Sequence, residues 1–310
     1  MRISIVIPVY NRSNLLLRTL DTIWRQTYRP LELILVDNGS TDLTLQICKD
    51  YQAKYNSDDF VITVCQELKA GANAARNKGL SLVKSDYVSF YDSDDEMMEN
   101  RMELIANKIK ETNADIIATI STIRRNKGSF IRNKLYSCTV EDQILVGMLS
   151  TQDMVVRTTL VKNVGAWDET IFRWQDWELG IRLLLHSQKL VWVKDISLDY
   201  INQHEKSITG LSFSNSYDYL IHAIDRATIV IKKSNYVKKI SCLALLYYRR
   251  LWLAGLLYQE KQFALNQKCL KSAEYEKPAS LCLRILFQLL YFYIKCGGRG
   301  AWKLVRILVK

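Results

Sequence analysis

The sequence predicts an α/β fold: a Rossmann-like, mostly parallel sheet flanked by helices, followed by an α-helical C-terminal extension. Three observations carry that prediction. Short apolar runs rich in β-branched residues recur at 3–9, 31–36, 60–65 and 87–91, and runs of this kind suit strands buried on both faces. Between them the apolar residues switch to helical spacing, and strands alternating with helices argue for an open parallel sheet. Beyond residue 225 the strand signal stops and the charge balance changes sign.

The elements follow in order. After the first strand, Tyr10, Asn11, Arg12 and Ser13 make a turn, and Leu15, Leu16, Leu20, Ile23 and Trp24 recur at helical spacing. The second strand ends in Asp37, Asn38, Gly39, Ser40, Thr41 and Asp42. Gly39 permits a tight turn there, and the Ser and Asp can cap a helix over about 42–55. A third strand at 60–65 and a helix over 71–83 lead to the fourth strand, which delivers Asp92, Ser93, Asp94 and Asp95 at its carboxyl end. Ligands of open parallel sheets bind just beyond the carboxyl ends of the strands, which places Asp37 and Asp92 on the functional edge. Three carboxylates this close repel one another unless solvated, protonated or neutralised by a cation, and oxygen-only ligands suit Mg²⁺ or Mn²⁺ better than zinc. A helix over about 100–112 and a strand at 115–120 come next. Residues 121–150 carry Arg124, Arg125, Lys127, Arg132 and Lys134 without a clear period and read as one long connection. A strand at 154–157, a turn at 165–169, a helix over 177–186 and a strand at 190–193 complete this part.

With 310 residues, 48% apolar and 24% charged, the chain can bury a sizeable core, which excludes disordered and fibrous classes. Seven cysteines are scattered without a C-x-x-C pair, which argues against a disulfide framework or zinc site and for a reducing compartment. The apolar run at the N-terminus is too short for a secretory core, so a cytoplasmic location is expected. The net charge of +11 is unevenly spread: residues 226–310 hold 17 Lys and Arg against 3 acidic residues, a net of +14. Such asymmetry points to an anionic surface as partner.

Five stretches in order resemble glycosyltransferase family two. They are Pro8-Val9-Tyr10-Asn11; Val36-Asp37-Asn38-Gly39-Ser40-Thr41-Asp42; Ala74-Ala75-Arg76-Asn77-Lys78-Gly79; Asp92-Ser93-Asp94-Asp95; and Gln175-Asp176-Trp177-Glu178. The resemblance covers roughly residues 1–210 and implies the GT-A fold, with a catalytic domain over 1–215. Its nucleotide-sugar half spans about 1–120 and its acceptor half about 121–215, leaving 216–310 as a basic amphipathic helical region. The implied activity is metal-dependent, inverting transfer of a sugar from a nucleotide sugar, UDP-linked by family precedent, to the hydroxyl of a glycan or lipid-linked glycan. Cell-surface polysaccharide, lipopolysaccharide or glycolipid synthesis is the implied setting.

The resemblance also implies roles. Pro8, Tyr10, Asp37, Arg76 and Asp92 would hold the nucleotide; Asp92, Asp94 and His204 would hold Mn²⁺ or Mg²⁺; Asp176 would be the catalytic base. Gln175 stands where relatives usually carry Glu. Trp174 and Trp177 flank the base and are candidates for an acceptor platform, since indole faces pack on sugar C–H surfaces. Lys206 and Ser207 are candidates for phosphate contacts. Two other readings compete. A sugar nucleotidyltransferase would need a Gly-rich phosphate loop, and Val9-Tyr10-Asn11-Arg12 contains no Gly. An inactive nucleotide- or membrane-binding scaffold would not need Asp37, Asp92, Asp94 and Asp176 together.

In the basic tail, the apolar stretch 240–258 carries Arg249 and Arg250 at its centre, which disfavours a bilayer-spanning helix. In 281–295 the polar residues Arg284, Gln288, Tyr291 and Lys295 fall on one helical face, and Lys303, Arg306 and Lys310 repeat the pattern. These are basic amphipathic helices suited to an anionic membrane surface, peripheral at its inner face. Nucleic acid is not an expected partner, because it leaves the carboxylates at the strand edge unexplained.

Overall fold

The computed structural model describes residues 1–125, 128–132, 135–203 and 212–309. The chain divides into two compact units. The first comprises 1–138, 149–170 and 186–205; the second comprises 139–148, 171–185 and 206–310.

The first unit is built on a nine-stranded sheet. Strands β1 (Ile3–Val9), β2 (Leu31–Asp37), β3 (Phe60–Gln66) and β4 (Tyr87–Phe90) alternate with helices α1 (Leu16–Trp24), α2 (Thr44–Tyr55) and α3 (Ala72–Leu82), as the periodicity predicts. They pair in parallel in the order β3-β2-β1-β4. Every residue of β2 is buried, which is why its sequence is almost continuously apolar. On one face Ile3, Ile5, Ile7, Leu33 and Leu35 form a core with Leu16, Leu20 and Ile23 of α1. On the other, α3 lies so close to the sheet that a Cβ at Gly79 would sit 2.3 Å from Val6 Cγ1 and 3.1 Å from Val36 Cγ2. The glycine is what lets the helix approach.

The remainder of the sheet is mixed. Helix α4 (Arg101–Thr112) follows a two-residue strand, β5 (Glu96–Met97), and precedes β6 (Ile116–Arg125) and β7 (Gly128–Ile131). Strand β8 (Met154–Arg157) runs antiparallel between β4 and β6, and β9 (Leu190–Asn202) is parallel to β6 and antiparallel to β5.

The long connection expected over 121–150 is therefore replaced by the end of β6, the hairpin strand β7 and helix α5 (Val140–Val146). Of the basic residues read there as a loop, Arg124 and Arg125 are strand residues of β6, while Lys127 and Lys134 lie outside the described residues. The Arg124 guanidinium lies 3.6 Å from the Tyr200 ring centroid and donates to Glu96 at 3.1 Å. A strand end tiled by cross-strand pairs can be highly charged. Strand β9 likewise extends nine residues past its predicted end, because its continuation pairs with β6 through a bulge and with β5. Helix α6 (Thr158–Asn163) closes this unit's inventory.

The second unit is helical. It contains α5, nearly all of α7 (Gln175–His186), α8 (Tyr217–Lys233), α9 (Lys239–Gln259), α10 (Phe263–Glu274), α11 (Leu281–Lys295) and α12 (Ala301–Val309). By length and composition α9 passes for a membrane span, yet it is this unit's central core helix. Arg250 is buried and pairs with Asp225 at 2.7 Å. Arg249 donates to the carbonyls of Ile144 and Leu145 at 3.1 and 3.0 Å.

Candidate active site

Parallel register sets the site. Val9 pairs with Asp37, Val6 pairs with Phe90, and the Tyr91 N–H donates to the Val6 carbonyl at 3.0 Å. Pro8, Tyr10, Asp37 and Asp92 are thereby carried to one edge of the sheet. The loops after β1 and β2 are laced together by short polar side chains. Asn11, at φ 48°, accepts from the Thr41 N–H at 2.9 Å, Ser40 accepts from the Asn11 N–H at 3.0 Å, and Thr44 accepts from the Arg12 N–H at 2.7 Å. Asp42 accepts from Thr44 and Ser13, and these bonds, the Thr44 hydroxyl foremost, hold its carboxyl down at about 2. Tyr10 stands 55% exposed above this platform, and Pro8 is half-buried.

Asp37 is fully buried. Its Oδ2 accepts from the Ser40 N–H and the Gln66 side chain at 3.3 and 3.2 Å, whereas Oδ1 is buried without a hydrogen-bond partner among the described residues. An orphaned carboxylate oxygen costs free energy that an incoming N–H or O–H donor would recover.

Helix α3 carries the next layer. Asn73, Arg76 and Asn77 share one face at i, i+3, i+4 spacing. Asn77 accepts from the Trp167 N–H and donates to the Trp167 carbonyl at 3.0 and 2.9 Å, and Asn73 donates to the Asp168 carbonyl at 2.8 Å. They fix the turn at 165–169, whose Trp167 ring underlies the Arg76 guanidinium at 4.6 Å. Arg76 is 5% exposed and donates to Asp92 Oδ1 at 2.9 Å. The arginine that the sequence assigns to the nucleotide is thus also the counter-charge of Asp92.

The acidic stretch is not one patch. Asp92 is held by Arg76 on Oδ1 and by Gln152 Nε2 on Oδ2 at 2.6 Å. The Asp94 carboxylate lies 3.7 Å from the Arg12 guanidinium, while its main-chain carbonyl accepts from Arg18 and Asn202 at 3.0 and 2.8 Å. Asp95 is 2% exposed and accepts from the Asn202 N–H at 2.8 Å and from Gln152. Burial first, and then the Asp92 and Asp94 charges, push its carboxyl well above the usual carboxylate range. Asp95 ties the turn to β9; helix α4 has Asn100 at its N-cap.

Beneath this lies a polar network that sequence reasoning missed. Arg101 and Asp199 form an ion pair of 2.7 Å with both side chains fully buried. Arg101 also donates to the Gln152 carbonyl at 2.5 Å, so the pair supports the residue whose amide bridges Asp92 and Asp95. Burial raises Asp199 to about 6 despite Arg101. Breaking a buried pair from one side leaves an uncompensated charge, so Arg101→Met is expected to cost about 3–5 kcal/mol of unfolding free energy at neutral pH. A raised carboxyl means that the fold binds this proton more tightly than the unfolded chain does, so the group's contribution to stability falls as pH rises from about 4 through about 6. The deficit of the variant is therefore expected to shrink between pH 7 and pH 5 in urea melts; an equal deficit at both would contradict the pairing. The local signal was faint: a Thr151-Gln152-Asp153 run directly ahead of an apolar strand.

In the second unit, Asp176 lies half-buried in the first turn of α7, its Oδ1 accepting from the Trp177 N–H at 2.9 Å. Neighbouring Glu178 is committed to Arg182 through bonds of 2.8 and 2.7 Å. Trp177 is 2% exposed and its indole N–H donates to the Ile144 carbonyl at 3.2 Å. It is therefore a core residue rather than an open acceptor platform, whereas Trp174 is half-buried. Trp174, Trp177 and Trp252 surround Arg249, whose guanidinium lies 4.2, 4.9 and 5.3 Å from their ring centroids. Burial lowers Arg249 to about 10, still charged at neutral pH and stabilised by the indole faces. His204, Lys206 and Ser207 lie outside the described residues. Among the described residues, no group of three His, Cys, Asp or Glu side chains is arranged as a ready metal cage.

A family model described as "Glycosyl transferase family 2" matches residues 4–163. "Glycosyltransferase GlyG" of Streptococcus pneumoniae serotype 4 is 39% identical over 115 residues, 37% of each chain. "Minor teichoic acid biosynthesis protein GgaA" of Bacillus subtilis is 28% identical over 71% of this chain and 52% of its own. Both matches span less than two thirds of the relative. Among solved structures, S. aureus TarS 1–349 in complex with UDP-GlcNAc superimposes with a TM-score of 0.78 at 19% identity, covering 98% of this chain and 90% of that one. The mixed sheet with its flanking helices and helical C-terminal region is the fold expected from the sequence.

Proposed function

The chain belongs to glycosyltransferase family 2, and from that premise we propose that it transfers a sugar with inversion from a UDP-linked donor to the hydroxyl of a cell-surface glycan or lipid-linked glycan. The observation that carries the nucleotide part is the buried Oδ1 of Asp37 at the carboxyl edge of β2, which has no hydrogen-bond partner among the described residues. The uracil imide N–H is a donor that such an oxygen can accept from. Tyr10, exposed on the same edge, offers a ring for stacking.

A divalent metal fits the carboxylates on this edge. Mg²⁺ and Mn²⁺ take oxygen ligands, and Mg²⁺ is commonly held by one or two carboxylates together with substrate phosphates, so a three-residue cage is not required. Asp94, whose side chain is 16% exposed, and Asp92, at 36%, would hold it. When bound, the metal neutralises charge developing on the leaving diphosphate. Asp176 takes the acceptor proton as the new C1–O bond forms and the bond from C1 to the diphosphate oxygen breaks. Arg76 orients Asp92, and Gln152 holds Asp92 and Asp95 in register. The enzyme works from the cytoplasmic side as a peripheral protein of an anionic membrane.

Calorimetry with UDP-, GDP- and dTDP-sugars, with and without Mn²⁺, tests the proposal. UDP-sugars are expected to bind most tightly and more tightly with the metal, and Asp37→Ala to weaken them at least tenfold, the cost of about one hydrogen bond to a charged group. Preference for GDP-sugars, or an unchanged affinity in the Asp37→Ala protein, would overturn the nucleotide assignment.

A further inference from the structure

Helix α11 is apolar on two sides, and only one of them is used within its unit. Phe287, Leu290 and Ile294 are buried. Phe287 stacks against Tyr247 and Tyr248 of α9, with ring centroids 6.0 and 5.5 Å apart. On the same seam, a Cβ at Gly255 of α9 would lie 2.6 Å from Ile294 Cγ2. The opposite stripe is uncovered: Ile285, Leu289 and Phe292 are 54%, 64% and 62% exposed. Helix α12 repeats the arrangement, burying Ala301, Val305 and Val309 while Leu304, Ile307 and Leu308 face outward. The polar and apolar faces read from the sequence therefore need revision, because the apolar side divides into an inward and an outward stripe.

We infer that the outward stripes of α11 and α12 seat the protein in an anionic lipid interface. This deepens the membrane part of the reading above and is independent of its transfer chemistry. Charge decides the occupant. From residue 277 onward the sequence holds seven basic residues, Lys277, Arg284, Lys295, Arg299, Lys303, Arg306 and Lys310, and no acidic one. The nearest preceding acids are already paired, Glu274 with Lys277 and Glu276 with Lys232. Arg306 turns inward to Asp142 at 2.9 Å. Arg284, Lys295, Arg299 and Lys303 border the apolar stripes, and no ion pair to an acid is formed by them among the described residues. A second copy docking by two-fold symmetry would set these positive rims against each other, whereas anionic headgroups neutralise them while the acyl boundary takes up Ile285, Leu289 and Phe292. Tyr293 and half-buried Trp302 are the amphipathic ring types that favour such a boundary.

The test is flotation of the full chain with vesicles of phosphatidylcholine alone and of phosphatidylcholine mixed with phosphatidylglycerol, alongside an Ile285→Gln, Leu289→Gln, Phe292→Gln variant. Sedimentation and circular dichroism verify that both proteins are folded and report their oligomeric state. The wild type is expected to float with the anionic vesicles, and the variant's partitioning to fall at least about tenfold with UDP-sugar affinity unchanged. Wild-type flotation matched by the variant would overturn this face and leave peripheral attachment standing. Failure of the wild type to float would overturn both. A wild-type dimer converted to monomer by the substitutions would assign the stripes to a second copy instead.

Discussion

Asp94→Ala is expected to reduce transfer about 10³-fold or more. A metal at a leaving diphosphate supplies several kcal/mol of transition-state stabilisation, and each 1.36 kcal/mol is tenfold in rate. The three carboxylates of the acidic stretch differ in their surroundings. Asp92 has both oxygens engaged by Arg76 and Gln152, and Asp95 is 2% exposed and bound into the turn. Asp94 lies 3.7 Å from the Arg12 guanidinium, with its side chain 16% exposed. On the proposed metal role, its loss is expected to act on the metal and to leave the Asp37 edge untouched. The measurement is kcat together with calorimetry of UDP-sugar binding: the Mn²⁺ enhancement should vanish while metal-free binding of the nucleotide persists. A variant that turns over at the wild-type rate with its Mn²⁺ dependence intact would refute the assignment of Asp94.

Asp176→Asn is expected to lower transfer by about 10²–10⁴-fold, the range contributed by a positioned general base. The substitution is isosteric, and the amide oxygen can still accept from the Trp177 N–H, so the start of α7 is preserved. Donor affinity should stay at the wild-type level, which separates this variant from Asp94→Ala. In the residual activity, the acid limb of the kcat/KM profile, which reports protonation of the base, should disappear. Full turnover would remove Asp176 from the chemistry and leave its carboxylate as a helix-start residue.

Much of the first unit could be read from local pattern. Strands β1, β2 and β4 are almost continuously apolar because both faces are covered, and neighbouring strands in the sequence pair or lie close in the sheet. The edge that carries Asp37 and Asp92 follows from parallel register alone. The later strands were harder for a physical reason. Strand β5 has two residues, β7 is exposed at all four positions, and β9 lengthens only because β6 and β5 are there to pair with it. Such segments gain their hydrogen bonds from distant partners, so no window of sequence contains the signal.

The sequence by itself determined the alternation of strands and helices, the charge division near residue 225, and which carboxylates stand at the strand ends, since these depend on period and order along the chain. Only the tertiary structure decided which of those groups are already satisfied. Asp37 keeps an oxygen without a partner among the described residues, Asp92 is held by a helix residue and by Gln152 sixty positions away, and Asp199 is paired with a fully buried Arg101. It also decided that Trp177 packs inward and that α11 leaves a second apolar stripe open. Burial and hydrogen-bond satisfaction are properties of groups brought together from distant parts of the chain, and they emerge only when the chain has closed on itself.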